Sequence, residues 1–344
     1  MAADYFHRLN RQTPTRMWIN NPTLAEAQKA VAAGGISCTT NPAYCARIMR
    51  EEPGYANATI GRIVKEVRDD QRAPHLIQQE MAKRVMSVFL PLYREPGVRG
   101  VVSVQGNPHK DTDADHIIAE SVDDHARLPP NHIAKIPTTQ AGLVAMDKLL
   151  RQGIPVIATE LFSLAQAMAA AEVYGRVVSE MKEPPACYLT HITGIYDEYL
   201  GKWVQEHQVQ IAPEVLAEAG CAVARRQYRL LKQRGYPGFM LGGGARATKH
   251  FTEMVPSEMH VTINWSTAEE ILAADPPLTP RMDVKTPREV VEELRAKLPD
   301  FRRAWDLDGL APEEFAEFGP VRYFLGMFIR GWDQLGAAIR QVRM

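Results

Sequence analysis

The sequence carries almost no excess of one charge: 40 Lys plus Arg stand against 41 Asp plus Glu, a formal net charge of -1. That balance excludes the one-sided basic field on which nucleic-acid binding depends, so a small-molecule partner is expected instead. Cysteine is also scarce. Cys38, Cys45, Cys187 and Cys221 are widely spaced with no Cys-x-x-Cys pair, which argues against a zinc knuckle, a redox dithiol and a disulfide framework. All four are read as reduced. No segment offers the roughly 18 uncharged apolar residues of a membrane span. The N-terminal stretch MAADYFHRLNRQ has no apolar signal-peptide core. A cytoplasmic protein without membrane contact is expected, and neither an internal repeat nor a low-complexity tract is present.

What the chain does have is core material and a rhythm. At 344 residues, 45% of them apolar, it can bury a large core, and α/β barrels routinely exceed 250 residues. Short β-branched runs alternate with longer amphipathic stretches, the pattern of βα units around a parallel sheet. Eight runs stand out: 16–20, 36–41, 100–105, 132–137, 155–159, 186–192, 238–242 and 259–264. Thr23 and Glu26 form a capping box that opens the first helix before Gly34-Gly35 stops it. The reading is a single α/β domain over 1–344: a (β/α)8 TIM barrel at about 16–275 with C-terminal helices at about 287–344 packed on it. Helical stretches at 55–95 and 214–235 are expected to be insertions decorating the barrel.

Lys135, in His-Ile-Ala-Lys-Ile-Pro, is the unusual strand residue. A lysine inside an apolar barrel strand must lose hydration. Desolvation disfavours the ammonium form, and a neutral amine can attack a carbonyl. The plain alternative is a strand-end lysine whose ammonium snorkels to solvent.

Several motifs in order weigh against that alternative. Thr39-Thr40-Asn41-Pro42, the stretch Lys135-Ile-Pro-Thr-Thr-Gln-Ala-Gly-Leu143, and Thr159-Glu-Leu-Phe-Ser-Leu-Ala-Gln-Ala167 follow one another along the chain. Gly242-Gly-Gly-Ala-Arg246 comes after them. Together they resemble the transaldolase family, which includes the fructose 6-phosphate aldolases. The resemblance runs from about Trp18 to near the C-terminus. It implies a metal-independent, cofactor-free enzyme in which Lys135 forms a Schiff base with a ketose and a dihydroxyacetone-type unit is transferred or released. By the same resemblance Asn41 and Thr190 bind substrate hydroxyls, Thr159 and Gln105 hold a catalytic water, and Arg246 binds a substrate phosphate. Phe162 and Ser163 fall in the motif on the substrate side. The expected ligand is a small sugar or sugar phosphate, and a homo-oligomer is compatible with the sequence.

Two departures stand against the family pattern. Asn20 occupies the first-strand position of a proton-transferring aspartate, and an amide cannot act as that acid or base. Ile195 stands where a second phosphate-binding arginine belongs, and no nearby basic residue stands out as its replacement. His191, Tyr188 and Glu160 lie close by and read as core or rim residues, with a catalytic role as the alternative; His191 or Glu160 is the expected relay for a water held between Gln105 and Thr159. Two other readings remain: an aldolase acting on an unphosphorylated or atypical polyol, and a catalytically inactive barrel serving as a binding protein.

Overall fold

The computed structural model describes residues 4–97 and 99–344; the first three residues of the N-terminal stretch lie outside them. Eight strands alternate with helices as the sequence rhythm predicts. They are β1 (Arg16–Asn20), β2 (Ser37–Thr39), β3 (Val102–Gln105), β4 (His132–Pro137), β5 (Val156–Leu161), β6 (Cys187–Ile192), β7 (Phe239–Gly243) and β8 (Met259–Ile263). All neighbours pair in parallel, and β8 pairs with β1 to close the barrel.

The interior is filled by a simple rule of alternation. Successive side chains of a strand point to opposite faces, so residues two apart share the inside. Trp18, Ile133, Ile157, Tyr188 and Leu241 form an apolar plug low in the barrel. Trp18 Nε1 donates to His260 Nδ1 at 3.0 Å within it. Two residues further along the same strands come Asn20, Lys135, Thr159, Thr190 and Gly243. The plug residues are fully buried, and a polar layer faces the C-terminal mouth, where barrels of this kind hold their sites.

The outer layer corrects one expectation. Helix Arg72–Tyr93 is not decoration: it buries Met81, Ala82, Val85, Met86 and Phe89 and packs on β3, as the wall helix between β2 and β3 must. Helix Ala219–Gln233 does the same between β6 and β7, packing on helices Leu164–Glu180 and Thr193–Glu206. The added pieces are Tyr44–Glu51 and Pro53–Glu66. A short helix, Tyr5–Gln12, precedes β1 and buries Tyr5, Phe6 and Leu9, with Phe6 edge-on to Phe251. The Thr23–Glu26 capping box is formed.

The C-terminal helices share a second apolar cluster with the barrel, joining Phe301, Phe315, Phe324 and Phe328 to Phe162, Ile192, Ile195 and Tyr196. The last helix, Gly319–Arg343, approaches so closely that a Cβ on Gly331 would lie 2.6 Å from Ala43 Cα. No helix among the described residues is long and apolar enough to cross a membrane.

The loop after β4 is equally tight. Thr139 caps helix Gln140–Arg151 by accepting from Gly142 N at 3.0 Å, and a Cβ on Gly142 would sit 1.8 Å from Pro137 O. Backbone there cannot yield without moving the end of β4. Gly142→Ala should therefore destabilise the fold by about 1–3 kcal/mol or more, the usual range for overpacking. A denaturant midpoint equal to wild type would show that the turn relaxes freely.

Candidate active site

A cavity of about 390 Å³ opens at the C-terminal mouth of the barrel. Its walls come from strand ends and from the last helix, which supplies Phe324, Met327 and Phe328. Of the residues singled out above, Asn20, Asn41, Lys135, Thr159, Thr190 and Arg246 line it together.

Lys135 sits at the depth of this cavity, buried, with Nζ 3.3 Å from Thr40 O and 5.8 Å from the centre of the Phe328 ring. Burial pulls its pKa from 10.5 down to about 8, although Glu160 and Cys38 pull the other way. At neutral pH on the order of a tenth of such lysines carry a free amine, far more than for an exposed lysine. Thr159 Oγ1 and Thr190 Oγ1 are buried with no hydrogen-bond partner among the described residues. They are open to a ligand.

Asn20 is fixed from both sides. Its Oδ1 accepts from Thr39 Oγ1 at 3.0 Å and its Nδ2 donates to Asn264 Oδ1 at 3.0 Å. Asn41 spends its Oδ1 on Ala43 N at 3.0 Å, at the entry to helix Tyr44–Glu51, which leaves its Nδ2 for the cavity. Arg246 does not stand free: its Nε is 2.6 Å from Glu198 Oε2, and Glu198 Oε1 also accepts from Tyr323 OH. Ile195, apolar and buried, lines the cavity beside it. Two further cations line the cavity, against expectation. Arg47 is tied to both oxygens of Glu26 and to Asn21 O, while Arg50 is largely exposed.

Three of the expected residues lie elsewhere. Phe162 is fully buried outside the cavity, 6.0 Å from both Tyr196 and Phe324 between ring centres. Ser163 is the N-cap of helix Leu164–Glu180, its Oγ accepting from Gln166 N at 3.1 Å. Both serve packing and helix initiation, because the chain has already left β5 there. Gln105 stands beside Lys135 in register but faces a separate void of about 10 Å³, and its Nε2 donates to Glu160 Oε1 at 2.8 Å.

Glu160 is the residue that strand alternation misplaces. Its register with β6 slips between Ala158 and Leu161, and its φ of +58° is left-handed. Such a conformation costs a non-glycine residue about 1–3 kcal/mol. The bulge turns the carboxyl inward to Gln105 and Asp111, where burial lifts its pKa to about 7 despite the hydrogen bonds from Asp111 and Gln105 and the charge of Lys135. The signal in the sequence was a glutamate inside an apolar strand. His191, by contrast, points away from the cavity towards Gly220 and Gln227, and burial holds its pKa down at about 4. Tyr188 belongs to the apolar plug. No cluster of three or more metal-ligating side chains occurs among the described residues.

Comparison with known proteins agrees with this architecture. The chain is similar to the transaldolase of Thiobacillus denitrificans, 32% identical over 155 residues, which are 43% of this chain and 42% of the relative. It is 27% identical over 230 residues to the transaldolase of Thermobifida fusca, covering 61% and 60% of the two chains. With the transaldolase of Shewanella amazonensis it shares 28% over 189 residues, 54% and 53%. The chain spans about half the length of the curated relatives it matches. The family model for Transaldolase/Fructose-6-phosphate aldolase matches residues 17–313, most of the sequence and the whole barrel. The chain belongs to the transaldolase/fructose-6-phosphate aldolase family.

Proposed function

We propose that the protein is a Schiff-base enzyme that transfers or releases a dihydroxyacetone-type unit from a ketose, acting in the cytoplasm. The observation that carries this reading is Lys135: a buried amine with its pKa lowered to about 8, at the depth of a polar-walled cavity large enough for a sugar. Its neutral amine attacks the ketose carbonyl, and loss of water leaves a protonated imine. That imine accepts the electron pair of the carbon–carbon bond two atoms away as the bond breaks. Asn41 Nδ2 and the unpartnered Thr190 Oγ1 offer contacts to substrate hydroxyls near the imine, and Thr159 Oγ1 offers one to water. Asn20 orients the substrate without exchanging a proton.

The far end of the cavity favours an uncharged terminus. Arg246 is paired with Glu198, Ile195 adds no charge, and the other arginines of the wall are paired as well, Arg47 with Glu26 and Arg50 with Glu51. A polyol or sugar without a terminal phosphate fits this end better than a phosphate ester does. Glu198→Gln should release Arg246 and raise the preference for fructose 6-phosphate over fructose by roughly tenfold, the value of one charge-assisted hydrogen bond. An unchanged ratio would mean that Arg246 does not meet the substrate terminus.

The reading is tested by incubating the protein with fructose or fructose 6-phosphate, with and without an aldehyde acceptor. Release of dihydroxyacetone without acceptor marks a lyase, and product formation only with acceptor marks a transferase. Neither product from any ketose of a broad panel would leave a binding protein.

A further inference from the structure

Behind Lys135, on the side away from the large cavity, lies a buried row of acids that the steps above do not use. Glu160 Oε2 and Asp111 Oδ2 are both buried with no hydrogen-bond partner among the described residues; burial raises the pKa of each acid, and the charge of Glu160 raises that of Asp111 further. Two neighbouring carboxyls with buried, unpartnered oxygens cannot both ionise cheaply, so the pair favours a state that keeps one proton. The same proton-sharing logic governs buried carboxylate dyads generally.

From this geometry we infer that Glu160 and Asp111 form a proton store for the Schiff-base site, reaching Lys135 across the small void that lies between them, with Gln105 holding Glu160 in place, and exchanging with solvent along Glu120 and His116. The inference rests on the Schiff-base reading. The connections are short. Gln105 Nε2 holds Glu160 Oε1 at 2.8 Å, and its own Oε1 is buried without a partner. The void of about 10 Å³, room for one water, touches Lys135, Gln105, Asp111 and Glu120. Glu120 accepts from Asn107 N at 2.8 Å, and its Oε1 lies 3.2 Å from His116 Nε2 and 3.6 Å from His75 Nδ1. His116 is one-third exposed, which brings the row to solvent, while His75 continues to Asp124 at 3.2 Å.

The charged neighbours are few. Lys135 faces Glu160 from β4, Glu120 faces Asp111 from helix Ala114–Arg127, and His75 faces Glu120 from helix Arg72–Tyr93. Burial holds the Cys38 thiol, near Lys135, neutral.

The store balances the chemistry. A ketone and a neutral amine give a protonated imine and water only when one proton is supplied, which leaves with the departing hydroxyl. The pair supplies it, passing from one negative charge to two while Lys135 passes from zero to one positive charge. The summed charge of the buried group is unchanged, so no net charge is created where solvation is poor. Hydrolysis of the imine returns the proton. Glu160 and Asp111 are positioning residues in this scheme, because neither lines the substrate cavity.

Two readouts test this on the full chain. The infrared spectrum of wild type at pH 8 should show a buried carboxylic acid carbonyl band, absent from Glu160→Gln and from Asp111→Asn. The pH profile for borohydride trapping of dihydroxyacetone should contain an ionisation near 7 that Glu160→Gln loses, with trapping slowed at least tenfold. A structural role alone would lower the amplitude and leave the shape of the profile intact. No acid band in wild type, or parallel profiles for wild type and Glu160→Gln from pH 6 to 9, would overturn the inference. If wild-type Lys135 forms no adduct, the Schiff-base reading fails by itself, and the infrared band still reports on the pair.

Discussion

Lys135→Met should abolish turnover and, at the same time, make the protein more stable. On the proposed mechanism the amine is the attacking atom, and no other lysine among the described residues lines the cavity to substitute for it. Its burial holds the pKa near 8 against an ordinary 10.5, a difference of about 3 kcal/mol against the ammonium at neutral pH. Methionine fills a similar volume with no charge to desolvate. The folded pKa lies below the unfolded one, so between about pH 8 and 10.5 the unfolded chain binds more protons and folded stability rises with pH. Below that window the full penalty applies. Urea unfolding at pH 7 should therefore give a higher midpoint for Lys135→Met than for wild type, and the rise in stability above pH 8 should vanish in the variant. A lower midpoint for the variant would mean that Phe328 and Thr40 O compensate the ammonium better than burial penalises it.

Asn20→Asp should introduce an ionisation into the pH–rate profile and raise the rate, by up to about a hundredfold, since general acid–base help is worth roughly a hundred- to ten-thousandfold. The local geometry accepts the change. Thr39 Oγ1 already donates to the oxygen of Asn20, and Asn264 need only turn its amide so that Nδ2 donates to the new carboxylate. Retro-aldol cleavage must remove a hydroxyl proton, and an amide cannot take it. An identical profile and rate for wild type and Asn20→Asp would place the base elsewhere along the cavity wall.

The barrel could be read from the sequence because its physics is local. β1 and β4 begin and end where their apolar runs do, and the alternation of Ile133 with Lys135 and of Ile157 with Thr159 writes the plug and the polar layer into consecutive residues. β2 stops earlier than its run suggests, at Thr39, because Thr40 turns to bond Ser103 through backbone and side chain and Asn41 opens a turn by accepting from Ala43 N ahead of helix Tyr44–Glu51. What could not be read depends on departures from periodicity or on distant chain. Strict alternation places Glu160 outside the barrel, and only the bulge brings it in. Motif similarity marked Phe162 and Ser163 without telling which way they face. Phe324, Met327 and Phe328 follow Lys135 by nearly two hundred residues, and in sequence their spacing reads as an ordinary helix core. The resemblance marks Arg246 as a phosphate-binding residue, but its partner Glu198 lies on a helix whose contact with β7 no local pattern announces.

The most direct test of the central claim is the mass and position of the adduct that borohydride traps from dihydroxyacetone or fructose. The account predicts a single modification carrying the reduced ketone, mapped by peptide sequencing to Lys135 in His-Ile-Ala-Lys-Ile-Pro, and none in Lys135→Met. Labelling at Lys110 or Lys148 with Lys135 unmodified, or the same adduct yield from Lys135→Met as from wild type, would contradict it.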